Sequence, residues 1–366
     1  MSKRNGLNII LFSLLLITST ACIEKYQFEL SKEPILVIDG AITDESGIHV
    51  VKLSFSSTFT DNPVFVPVDP LVGNARVEII DDNNQVVQLE EQQTGTYHTH
   101  SSFQGEIGRT YQLRVTLNNG KKYESEPELL RPTGGIVENI SFENTSRSVT
   151  LDGNIIEEDI VLFKIDFTDN AETENYYRWR YKEIYEVEAP MADNPPPCPF
   201  KCRPCTQNPV KQCWATKFDN EILKIESDEL FDGKSVKNYE IYAVPSDRRF
   251  DIGYVASIEQ YSLSKGAYEY WSAIQNQQNN NGTIFETPNY QIRGNIKSLD
   301  DSDELVLGYF VASAKSINRR FVSETEIPGL VGPINCSPNK DGCYPNACQD
   351  CRAWPASRVR PDFWPN

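Results

Sequence analysis

Histidine is scarce in this sequence, and so are the motifs that carry common catalytic chemistry. The 366 residues include only His49, His98 and His100. No His-Glu-x-x-His, Gly-x-Ser-x-Gly or glycine-rich phosphate loop occurs, which excludes the enzyme classes built on those motifs. His98 and His100 lie on the same side of a predicted strand and could bind a metal, but no third ligand is adjacent. We therefore expect no metal site, no cofactor and no catalytic residues.

Basic residues are few compared with acidic residues. The chain has 35 Lys and Arg against 52 Asp and Glu, a formal net charge of −17. This balance disfavours nucleic acid and anionic phospholipid surfaces as partners, because both would repel the protein. We interpret the excess of carboxylates as a solvated surface that keeps the protein soluble.

Long apolar runs are also missing after Ile17. The run Leu7–Ile17 is shorter than the roughly 20 residues that a transmembrane helix needs. Lys3 and Arg4 precede it, and Ser19-Thr20-Ala21-Cys22 follows it as a small-residue site that ends in cysteine. Together these features predict a secretory signal peptide with a lipidation site.

The predicted cleavage gives a signal peptide over residues 1–21 and a first mature residue, Cys22, that carries the lipid as a palmitate-type anchor. Residues 22–33 then form a short polar tether. Ser19 stands where lipoprotein sites usually carry an aliphatic residue. Transmembrane anchoring by the same segment is the weaker alternative.

Eight cysteines follow Cys22, in two clusters of four. They are Cys198, Cys202, Cys205, Cys213, Cys336, Cys343, Cys348 and Cys351. An even number in an exported chain predicts structural disulfides, although each cluster contains a Cys-x-x-Cys that could also indicate zinc or thiol redox chemistry. Eight cysteines allow 105 pairings, so the connectivity stays open. The proline-rich loop 189–213 is either closed by its own cysteines or tied to the second cluster.

Residues 34–133 predict an immunoglobulin-like β-sandwich. Tyr111, Leu113, Val115 and Leu117 alternate along one predicted strand, and Asn118-Asn119-Gly120 is a strong hairpin signal. The segments Val37-Ile38-Asp39-Gly40, Gly73 to Val77, Gly95-Thr96-Tyr97 and Tyr111-Gln112-Leu113 resemble those of immunoglobulin-like and carboxypeptidase-regulatory-like modules. Such modules mostly act as spacers or docking units.

Residues 134–366 predict a larger antiparallel β domain with a cysteine-rich C-terminal segment, 336–366. A long strand alternates between two faces. We expect core packing on one face, which carries Tyr177, Trp179, Tyr181, Tyr185 and Val187, and the other face carries Arg178, Arg180, Lys182 and Glu186. Ser262 or Ser264 can cap a helix from Lys265 to about Gln278 that packs its apolar stripe on the sheet. The fold class is therefore mainly β with one packed amphipathic helix.

Several segments together resemble a known family. They are Cys213-Trp214, Ile258 to Ser264, Ala267 to Trp271, Gly282 to Phe285, Ile292 to Ile296, Val306 to Phe310, Cys348 to Arg352 and Arg360 to Trp364. The sequence resembles a domain of unknown function found in lipoproteins of Bacteroidota, typically encoded next to TonB-dependent outer-membrane receptors. This resemblance covers nearly the whole mature chain and brings no catalytic residues with it. It implies an outer-membrane lipoprotein, anchored by its lipid at the cell surface.

The expected function is that of a non-enzymatic accessory or substrate-capture partner of a TonB-dependent nutrient transporter. A structural or adhesive envelope lipoprotein is the alternative. A hydrolase acting on glycan or peptide is third, since a glycosidase needs only two opposed carboxylates.

Overall fold

The computed structural model describes residues 34–56, 71–151, 153–197, 200–202, 207–218, 223–280, 292–327 and 334–365. The predicted signal peptide, Cys22, and residues 22–33 lie outside these ranges, as do Cys198 and Cys205. The described chain is mainly β, as predicted.

The strands run through the whole described chain. The first nine are β1 (Leu36–Thr43), β2 (Val50–Phe55), β3 (Arg76–Asp81), β4 (Val86–Gln88), β5 (Glu90–Gln93), β6 (Thr96–His98), β7 (Thr110–Thr116), β8 (Lys122–Ser125) and β9 (Glu128–Leu129). The next seven are β10 (Gly135–Leu151), β11 (Asn154–Asp169), β12 (Tyr176–Glu188), β13 (Gln212–Phe218), β14 (Lys224–Ser227), β15 (Ser235–Pro245) and β16 (Gly253–Ser262). The last five are β17 (Ile296–Ser298), β18 (Val306–Leu307), β19 (Phe310–Ser313), β20 (Lys315–Ser323) and β21 (Ala356–Ser357).

Two sheets share the core of a first sandwich. One sheet has the order β18-β1-β2-β6-β5, with β19 also on β1, and the other has the order β17-β8-β7-β3-β4, with β9 on β7. The alternating residues Tyr111, Leu113 and Val115 are buried between the sheets, as the sequence pattern predicts. The β7–β8 hairpin also forms as predicted, and Gly120 takes a φ of 88° that only glycine adopts readily.

Three strands of the first sandwich come from far along the chain. β18 and β19 pair in parallel with β1, and β17 pairs with β8. The sequence-based grouping assigned this segment to the 134–366 region, and the strand pairing differs from that grouping. A parallel pair needs a long crossover, so its two strands are distant in sequence and local patterns do not reveal that they are partners.

A second sandwich packs the sheet β10-β11-β15 against the sheet β20-β16-β12-β13-β21, with β14 on β12. Aromatic side chains fill the space between them. The largest buried members of this core are Phe163, Phe167, Tyr177, Trp179, Phe250 and Tyr254. The inward row of β12, including Trp179 at 2% exposure, confirms the core role predicted for those residues.

The longer of the two helices in the described ranges is α1 (Lys265–Asn280), and α2 (Asn346–Gln349) is a single turn. Ser264 caps α1, since its Oγ accepts a hydrogen bond of 3.1 Å from the amide of Ala267. The helix packs on the outer side of the second sandwich through a cluster that includes Tyr176, Ile225 and Leu263. Neither described helix has the length and apolar character needed to cross a bilayer.

Three disulfides organise the C-terminal segment. Cys202 bonds to Cys343 and Cys213 to Cys351, while Cys336 and Cys348 close a short loop within the segment itself. The proline-rich loop is therefore tied to the second cysteine cluster, one of the two arrangements left open by the sequence. The two cysteines of Cys348-Gln349-Asp350-Cys351 belong to different disulfides, so this motif is structural.

Candidate functional site

The outward face of β12 carries a row of cations. Because Tyr177 and its inward neighbours fill the core, alternation directs Arg178, Arg180 and Lys182 to the opposite side of the sheet. This is the face on which α1 packs at one end.

β20 adds two further cations to this face. Lys315 and Arg319 pair with Tyr261 and Ser257 of β16, which are themselves paired with members of the β12 row. Residues directly opposite each other on paired strands point to the same side of a sheet. We call Arg178, Arg180, Lys182, Lys315 and Arg319 together the basic face.

Aromatic rings lie beside all five of these cations, and Lys315 lies 5.7 Å from the ring centre of Tyr261. The guanidinium of Arg178 lies 4.0 Å from the ring centre of Trp271, and that of Arg319 lies 4.3 Å from the ring centre of Phe363. Arg180 and Lys182 both approach Phe218, at 5.4 and 4.9 Å. Cation–π contacts of this kind hold the long side chains across the sheet surface.

Two carboxylates, one from β16 and one from the turn after β1, converge on one cation of this face. The Nζ atom of Lys315 lies 3.0 Å from Glu45 and 3.2 Å from Glu259. Burial alone would raise the pKa of Glu259, but the hydrogen bond from Tyr261 and the charge of Lys315 lower it overall, so this carboxylate is ionised.

Lys182 lies among other charged side chains of the basic face. Its pKa is lowered, first because partial burial disfavours the charged ammonium; Glu259 acts in the opposite direction, and Arg319 and Lys315 add repulsion. An anion placed there would relieve this repulsion.

Arg178 lies at the covered end of the basic face. Burial, and next the charge of Arg180, lower its pKa to about 10, so it remains charged at neutral pH. Its buried Nε finds no hydrogen-bond acceptor among the described residues. Leaving a buried donor without an acceptor costs free energy, which an anionic group could recover.

A pocket of about 480 Å³ adjoins this end of the basic face. Its lining residues are Val37, Asp39, Tyr270, Trp271, Gln277, Ile292, Leu307 and Gly308. Trp271 belongs both to this wall and to the contact with Arg178, so the pocket and the basic face share a side chain. The pKa of Asp39 is raised because desolvation outweighs the attraction of Arg178.

An acidic pocket of about 630 Å³ lies near the start of β12. Oxygens of Asp169, Asp228 and Asp232 fall within 4.8 Å of one another and could bind a divalent cation. The two buried carboxylates already accept hydrogen bonds from the chain, Asp169 from the amide of Gly233 at 2.7 Å and Asp228 from that of Asn175 at 2.6 Å. Burial, together with the charges of Asp169 and Asp232, raises the pKa of Asp228. These contacts give the cluster a structural role in joining neighbouring turns.

The residues singled out in the sequence are placed as follows. Six of the eight predicted disulfide cysteines form the three bonds described above, and Cys198, Cys205 and the lipidation residue Cys22 lie outside the described ranges. His98 lies at the end of β6, and His100 bonds to Ser102 at 2.8 Å.

Sequence reasoning identified three of the five cations of the basic face. It placed the three cations of β12 together but predicted no strand over residues 315–323. The spacing of Lys315 and Arg319, four residues apart, was the available signal, since such residues share a face of a strand. The acidic cluster joins turns that are distant in sequence, and no local pattern indicated it.

The fold and the site together define a mainly β, disulfide-linked protein with a cationic surface on one sheet. Residues 23–319 match the family model described as "Domain of unknown function (DUF4249)", and the chain belongs to this family. The resemblance to a domain of unknown function seen in the sequence is confirmed to that extent.

Comparison with solved structures gives a distant likeness. A DUF4785 family protein from Legionella pneumophila subsp. pneumophila str. Philadelphia 1 is 7% identical, with a TM-score of 0.20, over 62% of this chain and 52% of that one. This chain thus spans about half the length of that protein, and a likeness this low carries no argument. The curated proteins give no significant match.

Proposed function

We propose that this protein is an outer-membrane lipoprotein, anchored through Cys22, that captures substrate for a TonB-dependent nutrient transporter without catalysing a reaction. The basic face is the observation that carries this proposal. It gathers five cations on one sheet face of a chain whose net charge is −17, which is an arrangement suited to binding.

The support for substrate capture comes from the way the cations of the basic face are held in place. The cations are held over aromatic rings at defined positions, so the charged groups are ordered before a ligand arrives. A preorganised surface of this kind binds without a large entropic cost. The positive charge of the basic face would attract an anionic solute at short range, within a Debye length of about 8 Å, where the net charge of the rest of the chain is largely screened.

The membrane anchor is tested by labelling. Cells fed a traceable palmitate analogue should incorporate it into the wild-type chain, whereas Cys22→Ala should remain unlabelled and either soluble or retained as the precursor. Cys213→Ala serves as the matched control, because it changes a cysteine that lies in the folded body. Continued labelling of Cys22→Ala would refute the assignment.

The partner is tested by affinity isolation. Tagged full-length protein, extracted from outer membranes in mild detergent, should bring a TonB-dependent receptor barrel with it, and an equally tagged unrelated lipoprotein should not. Isolation of the tagged chain alone would contradict the proposal.

Deletion of the gene separates capture from the structural or adhesive alternative. Loss of growth on one nutrient, with an intact envelope, supports capture. Altered envelope integrity with normal uptake would favour the alternative.

A further inference from the structure

We propose that the ligand of the basic face is a linear anionic glycan, a polysaccharide that carries carboxylate or sulfate groups along its length. This inference names the class of substrate that the protein would capture. Delivery of that substrate to a transporter rests on the function proposed above. The binding step is argued from the residues of the face itself.

The spacing of the cations favours an extended ligand over a small anion. Arg180 and Lys182 alternate on β12, which places them about 7 Å apart along the strand. Lys182 and Arg319 lie two strands apart, a separation of about 10 Å across the sheet. One phosphate or carboxylate would reach only one or two of these groups, whereas a chain with repeated charges can reach Arg180, Lys182 and Arg319 together.

The aromatic rings beside the cations favour a sugar chain. Phe218 is 39% exposed and Phe363 is 40% exposed, each next to a cation of the face. The C–H groups of a pyranose ring pack on the negative face of an aromatic ring, while acidic groups on the same sugar meet the neighbouring cation. A glycan can use the rings and the cations together.

The position of β12 disfavours an acidic peptide. Peptides commonly bind to sheets by adding a strand at an edge, where backbone groups are unpaired. β12 is an interior strand, paired with β16 on one side and with β13 and β14 on the other. Recognition along β12 must therefore come from side chains, which offer ring faces and positive charge. β20 lies at the edge of this sheet, so strand addition by a peptide there is the outcome that the poly-glutamate probe below tests.

The experiment measures binding by the full-length protein in detergent, using titration calorimetry with four probes. Polygalacturonate supplies carboxylates on sugars, dextran sulfate supplies sulfates on sugars, poly-glutamate supplies carboxylates on a peptide, and dextran is neutral. At least one of the two anionic glycans should bind ten times more tightly than poly-glutamate, and dextran should not bind. Affinity should fall as salt is raised, because the charges are partly exposed and become screened.

Paired variants locate the site. Lys182→Gln with Arg319→Gln removes two charges from the basic face and should weaken glycan binding at least tenfold. Lys121→Gln with Lys297→Gln removes the same charge from exposed positions of the first sandwich and should change it less than twofold. Lys182→Arg with Arg319→Lys keeps the charge and should retain binding, which separates loss of charge from loss of folding.

Several results would overturn the inference. One is an absence of binding to both anionic glycans. Another is binding of poly-glutamate as tight as that of the glycans, which would indicate an acidic peptide ligand. The third is that the two double Gln variants weaken glycan binding equally. Because no receptor is present in this assay, its failure is distinct from failure of the affinity isolation described above.

Discussion

The two disulfides that tie the proline-rich loop to the C-terminal segment should not contribute additively to stability. Cys202–Cys343 and Cys213–Cys351 span 141 and 138 residues of the chain. In the chain-entropy model, closing a ring of about 140 residues contributes about 5 kcal/mol to the free energy of unfolding. That value applies only to the first of the two bonds to form.

The second bond closes a much smaller ring. With either disulfide intact, the other closes a ring made of the stretches 202–213 and 343–351, about 20 residues, which contributes about 3 kcal/mol. Loss of one disulfide should therefore cost about 3 kcal/mol, and loss of the other in that background about 5 kcal/mol. The difference of about 2 kcal/mol is the coupling between them.

Urea unfolding of four proteins measures this coupling. Cys202→Ser with Cys343→Ser removes the more exposed bond, Cys213→Ala with Cys351→Ala removes the buried one, and the quadruple variant removes both. These four proteins form a double-mutant cycle. Any cost of losing the buried sulfur atoms appears on both sides of that cycle and cancels. A first loss of about 5 kcal/mol, or strictly additive losses, would refute the reasoning.

Three further predictions concern buried side chains. Glu183→Gln should lower the free energy of unfolding by about 1–3 kcal/mol, because both carboxylate oxygens lie 3.0 Å from the Nη1 of Arg249 and the guanidinium would keep only Asp247 as a charged partner; a urea midpoint close to wild type would contradict this. Trp179→Ala should cost about 3–5 kcal/mol in the same assay, through the cavity and the loss of a 2.9 Å hydrogen bond to Gln260, and a cost under about 1 kcal/mol would show that the core refills. Burial raises the pKa of Glu128 above its ordinary 4.5, so its contribution to stability is complete below that pH and is lost as pH rises through the folded-state pKa. Glu128→Gln should accordingly flatten the fall in stability above pH 4.5, and an unchanged pH profile would exclude this residue as its cause.

The sequence predicted which face of a strand each side chain occupies better than it predicted which strands pair with one another. Alternation along β12 separated the aromatic core row from the three cations, because a buried strand must place its apolar side chains on one side. The helix cap at Ser264 and the β7–β8 hairpin were also predicted from the sequence, since both depend on residues close together in the chain.

The sequence did not reveal which strands pair when they lie far apart in the chain. The addition of β17–β19 to the first sandwich, and of β20 beside β16, depends on which strand meets which after the chain has folded. The disulfide connectivity has the same origin, because it follows from where the two cysteine clusters are brought together. These pairings completed the basic face, which explains why only its three β12 cations were predicted.

The return of β17–β19 to the first sandwich has a mechanical consequence. The chain leaves that sandwich after Arg131, re-enters it at Ile296 and leaves it again between Ser313 and Lys315, so three covalent paths join the sandwiches. A protease that cuts near Gly134 would sever only one path and leave the fragments held by the shared sheets. The nicked protein should migrate as one species in a native gel and as two in a reducing denaturing gel. Such a molecule can be cut at its apparent linker and still keep its two sandwiches in one assembly.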